Sequence, residues 1–257
     1  MNTADLNLVA LKGFGAAAAA YVRGRPSYPA ELLTWLRETL ELGPATTVLE
    51  LGAGTGKFTQ LLLETEARVV AVEPIDAMRS ELAAKFHDLK ILAASAESIP
   101  ISDGSVDAVV CAQAFHWFAN EVALSEMHRV LKPRGKLGLI WNVRDESIDW
   151  VARITAIITP YEGAAPRYHK GEWRRAFSTS LFSPLIETRF PFAHSGPPAD
   201  VIVDRFMSVS FIAALPDEDN RRVRQQLTEL IETHPELKSR STIAVPYTSH
   251  AYASSRL

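Results

Sequence analysis

A chain of 257 residues has room for one or two domains with a full core, and 47% hydrophobic residues is ordinary for a globular protein. A net charge of −3 and a pI near 6.2 provide no basic field for nucleic acid or a membrane surface. The single cysteine, Cys111, excludes an intramolecular disulfide and a cysteine-built zinc site, and no apolar stretch reaches the roughly 18 residues of a membrane span.

The N-terminus lacks the charged start and apolar core of a secretory signal, so a cytoplasmic protein is expected. Residues 1–15 carry no firm periodicity. In Tyr21-Val22-Arg23-Gly24-Arg25-Pro26-Ser27-Tyr28-Pro29, two prolines disfavour helix up to Pro29. Leu32, Leu33, Leu36 and Leu40 then mark an amphipathic helix ending near Gly43-Pro44. The leader reads either as a packing strand or as a lid, with Tyr21 and Arg25 facing a ligand.

Val48 to Leu51 is a short apolar run that predicts a buried strand. Gly52, Gly54 and Gly56 follow at alternate positions, and Phe58, Leu61 and Leu62 fall at helical spacing. The unit is strand, tight glycine turn, helix, a layout that lets backbone approach a ligand and offers open N–H groups to a polar or anionic one. A phosphate loop needs G-x-x-x-x-G-K-[ST], but Phe58 follows Gly56-Lys57 and Leu occupies position 51. The dinucleotide fingerprint is G-x-G-x-x-G, and the spacing here is one residue short.

Arg68 to Val72 is a second strand ending in Glu73-Pro74, where a carboxylate can accept two hydrogen bonds from ribose hydroxyls. Asp76 is expected to cap a helix over Ala77 to Phe86, and Met78 inside it either flanks an adenine ring or packs in the core. Lys90 to Ala94 is a third strand, leading to Ser95-Ala96-Glu97-Ser98-Ile99-Pro100. Val106 to Cys111 is a fourth, followed by Ala112-Gln113-Ala114-Phe115-His116-Trp117-Phe118. Ligands of open α/β sheets bind at the carboxyl ends of strands, so Gln113 is a candidate for bonding a ligand's polar group. His116 either faces a second substrate or is a satisfied structural histidine.

Ala123, Met127, Val130 and Leu131 define the next helix, and Lys132-Pro133-Arg134-Gly135 ends it. Lys136 to Trp141 is the fifth strand, closing in Asn142, which orients a substrate or simply turns the chain. Five strands alternating with helices over residues 46 to 142 give the βαβ signature of a parallel sheet. Beyond them, residues 148–158 read as a helix, Leu185 to Phe192 as a sixth strand, and His194 to Pro198 as a loop. Ile202, Phe206, Val209 and Ala213 mark one helix, Val223, Leu227, Leu230 and Ile231 another, and Thr242 to Ala253 the last strand.

The acidic glycine motif Glu50-Leu51-Gly52-Ala53-Gly54-Thr55-Gly56 resembles the first motif of class I S-adenosylmethionine methyltransferases. Glu73-Pro74, Ala96-Glu97-x-x-Pro100, Gln113-Ala114-Phe115-His116-Trp117-Phe118 and Arg129-Val130-Leu131-Lys132-Pro133 extend the likeness to their small-molecule branch. The Arg25-Pro26-x-Tyr28-Pro29 leader and the Phe-His-Trp-Phe stretch are shared with the trans-aconitate methyltransferase-like group. The likeness covers roughly residues 14–150. It implies an α/β fold: a doubly wound, seven-stranded, mostly parallel, Rossmann-like sheet with a helical acceptor-site insertion. It implies residues 1–45 as lid and packing helix, 46–158 as the cofactor-binding core, and 159–257 as the rest of the same domain.

The resemblance implies S-adenosylmethionine as cofactor. Its binding set is then Tyr21, Arg25, Glu50, Gly52, Ala53, Gly54, Thr55, Glu73, Pro74, Met78, Ala96, Glu97 and Gln113. Many relatives bond the adenine amino group through an acidic residue near Glu97; here either Glu97 does so, or backbone groups make the contact and Glu97 is structural. Catalytic positions are His116 and Asn142, and no metal is expected. The sulfonium methyl is already activated, so alignment is the main contribution to rate. A carboxylate or thiolate acceptor needs no base at neutral pH, whereas an alcohol needs one, for which His116 is the placed candidate. The expected activity is methyl transfer to oxygen or sulfur of a small acidic or thiol-bearing metabolite, with Arg25, Arg144 or Arg174 gripping a carboxylate. Rival readings are a cofactor-binding protein without transfer and an NAD-type oxidoreductase. A monomer with no nucleic-acid or membrane partner is expected. The terminal Ser255-Arg256-Leu257 is close to the Ser-Lys-Leu peroxisomal address, which keeps a peroxisomal alternative open.

Overall fold

A computed structural model describes residues 24–257; Tyr21 lies outside the described residues. Helix α1 (Glu31–Glu38) precedes β1 (Thr47–Leu51), α2 (Lys57–Leu63), β2 (Arg68–Val72), α3 (Asp76–Lys85) and β3 (Lys90–Leu92). Then come β4 (Val106–Ala112), α4 (Glu121–Val130), β5 (Leu131–Arg144), α5 (Asp149–Ile158), β6 (Ile186–Gly196), α6 (Asp217–Thr233) and β7 (Ile243–Ser255). The strands form one mixed seven-stranded sheet in the order β3-β2-β1-β4-β5-β7-β6. The first five pair in parallel, with Glu50 of β1 opposite Ala71 of β2 and Val110 of β4. Strand order reverses between β1 and β4, the switch point where ligands of such sheets bind.

The central strands are buried along almost their whole length, which is why they read as apolar runs rather than alternating ones. The edge strand β6 keeps a weak alternation with no fully buried face. Compact units divide the chain. The larger comprises Tyr28–Asn142, Pro166–Phe190 and Ser249–Leu257. Its core joins Leu32, Leu36 and Leu40 to Val48, Phe58, Leu62, Val110 and Ile140. The smaller comprises Val143–Ala165, Pro191–Thr248 and the described residues before Tyr28. Its core is built from Trp150, Val151 and Ile154 of α5, Val223, Leu227 and Leu230 of α6, and Phe206, Val245 and Tyr247.

Several local expectations are corrected. Asp76 does not cap α3: Ile75 is the N-cap, and Asp76 is the first helical residue, ion-paired with Arg79 one turn on. The third strand stops at Leu92. The fifth begins at Leu131 because residues 132–135 bulge: Val106 pairs with Leu131, and Ala108 already pairs with Lys136. Arg134, at φ +64°, makes that bulge. His194 belongs to β6, which runs through to Gly196. The expected helix around Ile202 to Ala213 is broken into a π turn, Ala199–Asp204, and two short α pieces, Arg205–Met207 and Ser210–Ala213, with extended Val209 between them.

Candidate active site

The larger unit assembles its site where β1 ends. Gly52, Gly54 and Gly56 take φ of +71°, +58° and +82°, a conformation that an L side chain adopts only under strain. A Cβ on Gly52 would also stand 2.6 Å from the Ala114 Cβ, so the corner closes directly on the segment after β4. Gly52 and Ala53 donate their N–H groups to the Val72 carbonyl at 2.9 and 3.2 Å, tying the corner to the end of β2.

Glu73, the residue after Val72, is 4% exposed. Gly54 N donates to its Oε2 and Ile75 N to its Oε1, each at 2.9 Å. Each carboxylate oxygen keeps a further acceptor position. Burial pushes its pKa above the ordinary value, and the two backbone N–H bonds oppose that rise. Arg79 holds the turn by donating to the carbonyls of Glu73 at 2.9 Å and Pro74 at 2.7 Å.

Glu50 is buried in the central strand, where Thr59 Oγ1 donates to its Oε2 at 2.5 Å. Burial pushes its carboxyl up to about 8, the Thr59 bond counteracts, and the Glu73 charge adds to the rise. Burial, with Glu50 nearby, likewise raises the Cys111 thiol well above its usual range, so it is not a nucleophile at neutral pH.

At the end of β4, Gln113 takes φ +58° while donating its N–H to the Ile140 carbonyl at 2.8 Å. Such a conformation in a non-glycine residue costs about 1 kcal/mol and marks a position the fold over-determines. The 3-10 turn Phe115–Trp117 follows, with Phe115 buried. Trp141 of β5 donates its indole N–H to His116 Nδ1 at 3.1 Å. A neutral His116 then carries its proton on Nε2. Ser249 Oγ donates to Asn142 Oδ1 at 2.5 Å.

Met78 is buried on α3, as are Ala53, Thr55 and Ala96; Pro74 is exposed. Glu97 Oε1 accepts from Asn120 Nδ2 at 3.1 Å, and Asn120 Oδ1 caps α4 through Ala123 N at 2.9 Å. Glu97 therefore supports a helix cap. Arg25 belongs to the smaller unit, its Nη2 donating to the Ser208 carbonyl at 3.2 Å. Arg174 lies over Trp173 and donates to the Tyr252 hydroxyl at 3.1 Å. Direct bonds or close packing thus join the glycine corner to Glu73 and to the segment after Gln113. Met78, Ala96 and His116 stand on the segments that follow β2, β3 and β4, and Asn142 stands near the end of β5 itself. Thr59 and Trp141 were not singled out from the sequence, although Thr59, one turn into α2 behind the glycines, was a readable partner for Glu50. Among the described residues no three His, Cys, Asp or Glu side chains are placed to hold a metal, and no helix is long and apolar enough to cross a membrane.

The fold and this corner define a Rossmann-like methyltransferase. Residues 49–139 match the methyltransferase domain family. An uncharacterized methyltransferase-like protein of Schizosaccharomyces pombe is 37% identical over 96% of both chains. An uncharacterized methyltransferase of Mycobacterium tuberculosis is 37% identical over 91% of both. In fold, the chain is similar to a putative type II methyltransferase from Anaeromyxobacter dehalogenans, with TM-score 0.65 and 22% identity over 90% of this chain and 97% of that one. The chain belongs to the S-adenosylmethionine-dependent methyltransferase family. Its corner fits the cofactor: main chain without Cβ at Gly52, Gly54 and Gly56, beside a buried carboxylate with acceptor positions to spare.

Proposed function

We propose that this methyltransferase methylates an oxygen or sulfur atom of a small acidic or thiol-bearing metabolite. The observation that carries the reading is the 3.1 Å hydrogen bond from Trp141 Nε1 to His116 Nδ1. The acceptor nitrogen of the neutral imidazole is already engaged, so His116 is poorly placed to take a substrate proton. Carboxylates and thiolates need no such base, whereas alcohols do. The likeness of the leader and the Phe-His-Trp-Phe stretch to the trans-aconitate methyltransferase-like group also supports an acidic acceptor.

When bound, S-adenosylmethionine supplies a methyl group activated on a sulfonium. Glu73 would take the ribose hydroxyls, and Pro74 sets the turn behind it. Glu50, Gly52, Ala53, Gly54, Thr55 and Gln113 would hold the amino-acid part. Met78, Ala96 and Glu97 would border the adenine; Tyr21 lies outside the described residues, and Arg25 belongs to the smaller unit. His116, through its Nε2 proton, and Asn142 would orient the acceptor. The contribution of these residues is alignment and exclusion of water, which together can supply several kcal/mol.

The reading takes the chain as a cytoplasmic monomer without a nucleic-acid or membrane partner, in keeping with its net charge of −3. For a peroxisomal receptor to read the last three residues, it would have to break the bonds from Arg256 N to the Gly135 carbonyl, 2.9 Å, and from Leu257 N to the Leu181 carbonyl, 3.1 Å. The test is transfer of labelled methyl from S-adenosylmethionine to a panel of small carboxylic acids, thiols and alcohols. Labelled methyl esters or thioethers are expected; transfer to alcohols alone, or to none of the panel, would contradict the reading.

A further inference from the structure

The smaller unit buries two arginines against one aromatic ring. The guanidinium carbons of Arg144 and Arg205 lie 5.1 and 5.3 Å from the centroid of Phe206. Arg205 is 7% exposed and Tyr247 2%. Arg144 Nη2 reaches Thr155 Oγ1 at 3.0 Å and, more weakly, the half-exposed Glu146 at 3.3 Å. Among the described residues, its Nε, both Nε and Nη1 of Arg205, and the Tyr247 hydroxyl have no hydrogen-bond partner.

Bringing two like charges into a low-dielectric interior costs several kcal/mol per ion, and each unmet buried donor adds to that. Burial and the Arg205 charge both pull the Arg144 pKa down, although an arginine stays charged at any ordinary pH. A buried cluster of unmet donors with excess positive charge is complementary to one chemical class: a small oxyanion, which accepts several N–H bonds in the guanidinium plane and one from a hydroxyl.

We propose that Arg144, Arg205 and Tyr247 of the smaller unit form a binding site for a small oxyanion, a carboxylate or a phosphate. The site does not rest on the reading under Proposed function.

The experiment is thermal unfolding of the full chain with succinate, inorganic phosphate or neutral succinamide, at ionic strength matched with sodium chloride, with and without saturating S-adenosylhomocysteine. A rise in Tm with succinate or phosphate, and none with succinamide, is expected. Succinate alone identifies a carboxylate ligand; phosphate alone identifies a phosphate one. Arg205→Met should weaken the effective anion at least about thirtyfold while leaving the anion-free Tm equal or higher, because it removes an unpaired buried charge. Tyr247→Phe, which preserves shape, should weaken the anion several-fold and serves if the arginine variant does not fold. No anion-dependent shift in the parent, an equal shift with succinamide, or a shift that survives both substitutions would overturn the inference. Failure of S-adenosylhomocysteine to bind would instead count against the cofactor reading, since the anion arms are read without it.

Discussion

The indole N–H of Trp141 donates to Nδ1 of His116 across 3.1 Å, and so fixes which imidazole nitrogen carries the proton. A neutral ring held this way carries its proton on Nε2. His116→Gln keeps a donor and should lower kcat by about tenfold or less, whereas loss of a true general base removes about 10²–10⁴. The kcat profile between pH 5 and 8 should lack a limb that disappears in the variant. A loss of a hundredfold or more, together with such a limb, would make His116 a base.

Glu50 gives the clearest pH signature. Its carboxyl is pushed from 4.5 to about 8 in the folded chain. Below 4.5 both folded and unfolded states hold the proton. Between 4.5 and 8 only the folded state does, so stability falls as pH rises through this window and levels off above it. Glu50→Gln imitates the protonated form. Its Tm advantage over the parent should be absent near pH 4.5 and grow until about pH 8. A constant difference across that range would mean the carboxyl titrates normally.

Gly52 and Gly43 make a paired test of the corner. A Cβ at Gly52 meets Ala114 Cβ at 2.6 Å with φ +71°, while one at Gly43 meets nothing within 4 Å. Gly52→Ala should lower stability by about 1–3 kcal/mol and abolish cofactor binding. Gly43→Ala should leave binding as it is. Equal behaviour of the two in calorimetry and denaturant melts would remove the corner from the site.

Gln113 carries backbone strain that glycine would relieve. Gln113→Gly should raise stability, or leave it unchanged, while weakening the cofactor, because only the side chain's ligand contact is lost. A variant that is less stable and binds normally would mark Gln113 as structural.

The buried parallel strands were legible because each is a continuous apolar run between turn residues. The glycine corner was legible because three alternate glycines leave few alternatives. The start of β5 was not: Pro133, Arg134 and Gly135 look like a plain helix stop, and only the pairing register reveals a strand continuing through a bulge. The break after Arg205–Met207 was hidden because Ile202, Phe206, Val209 and Ala213 keep helical spacing across extended Val209. Arg205 went unmarked for a related reason. A lone arginine in an apolar helical run usually reaches solvent, and its burial with unmet donors appears only in three dimensions. The bond that Glu97 accepts from Asn120 was not legible either, because its partner is 23 positions away.

The central claim is that the glycine corner and Glu73 hold the cofactor. It is tested most directly by calorimetric titration of the full chain with S-adenosylhomocysteine beside Glu73→Ala. The parent should bind one equivalent, and the variant should bind about a hundredfold more weakly, as expected for two lost bonds to a carboxylate. No heat with the parent, or equal affinity in the variant, would contradict it.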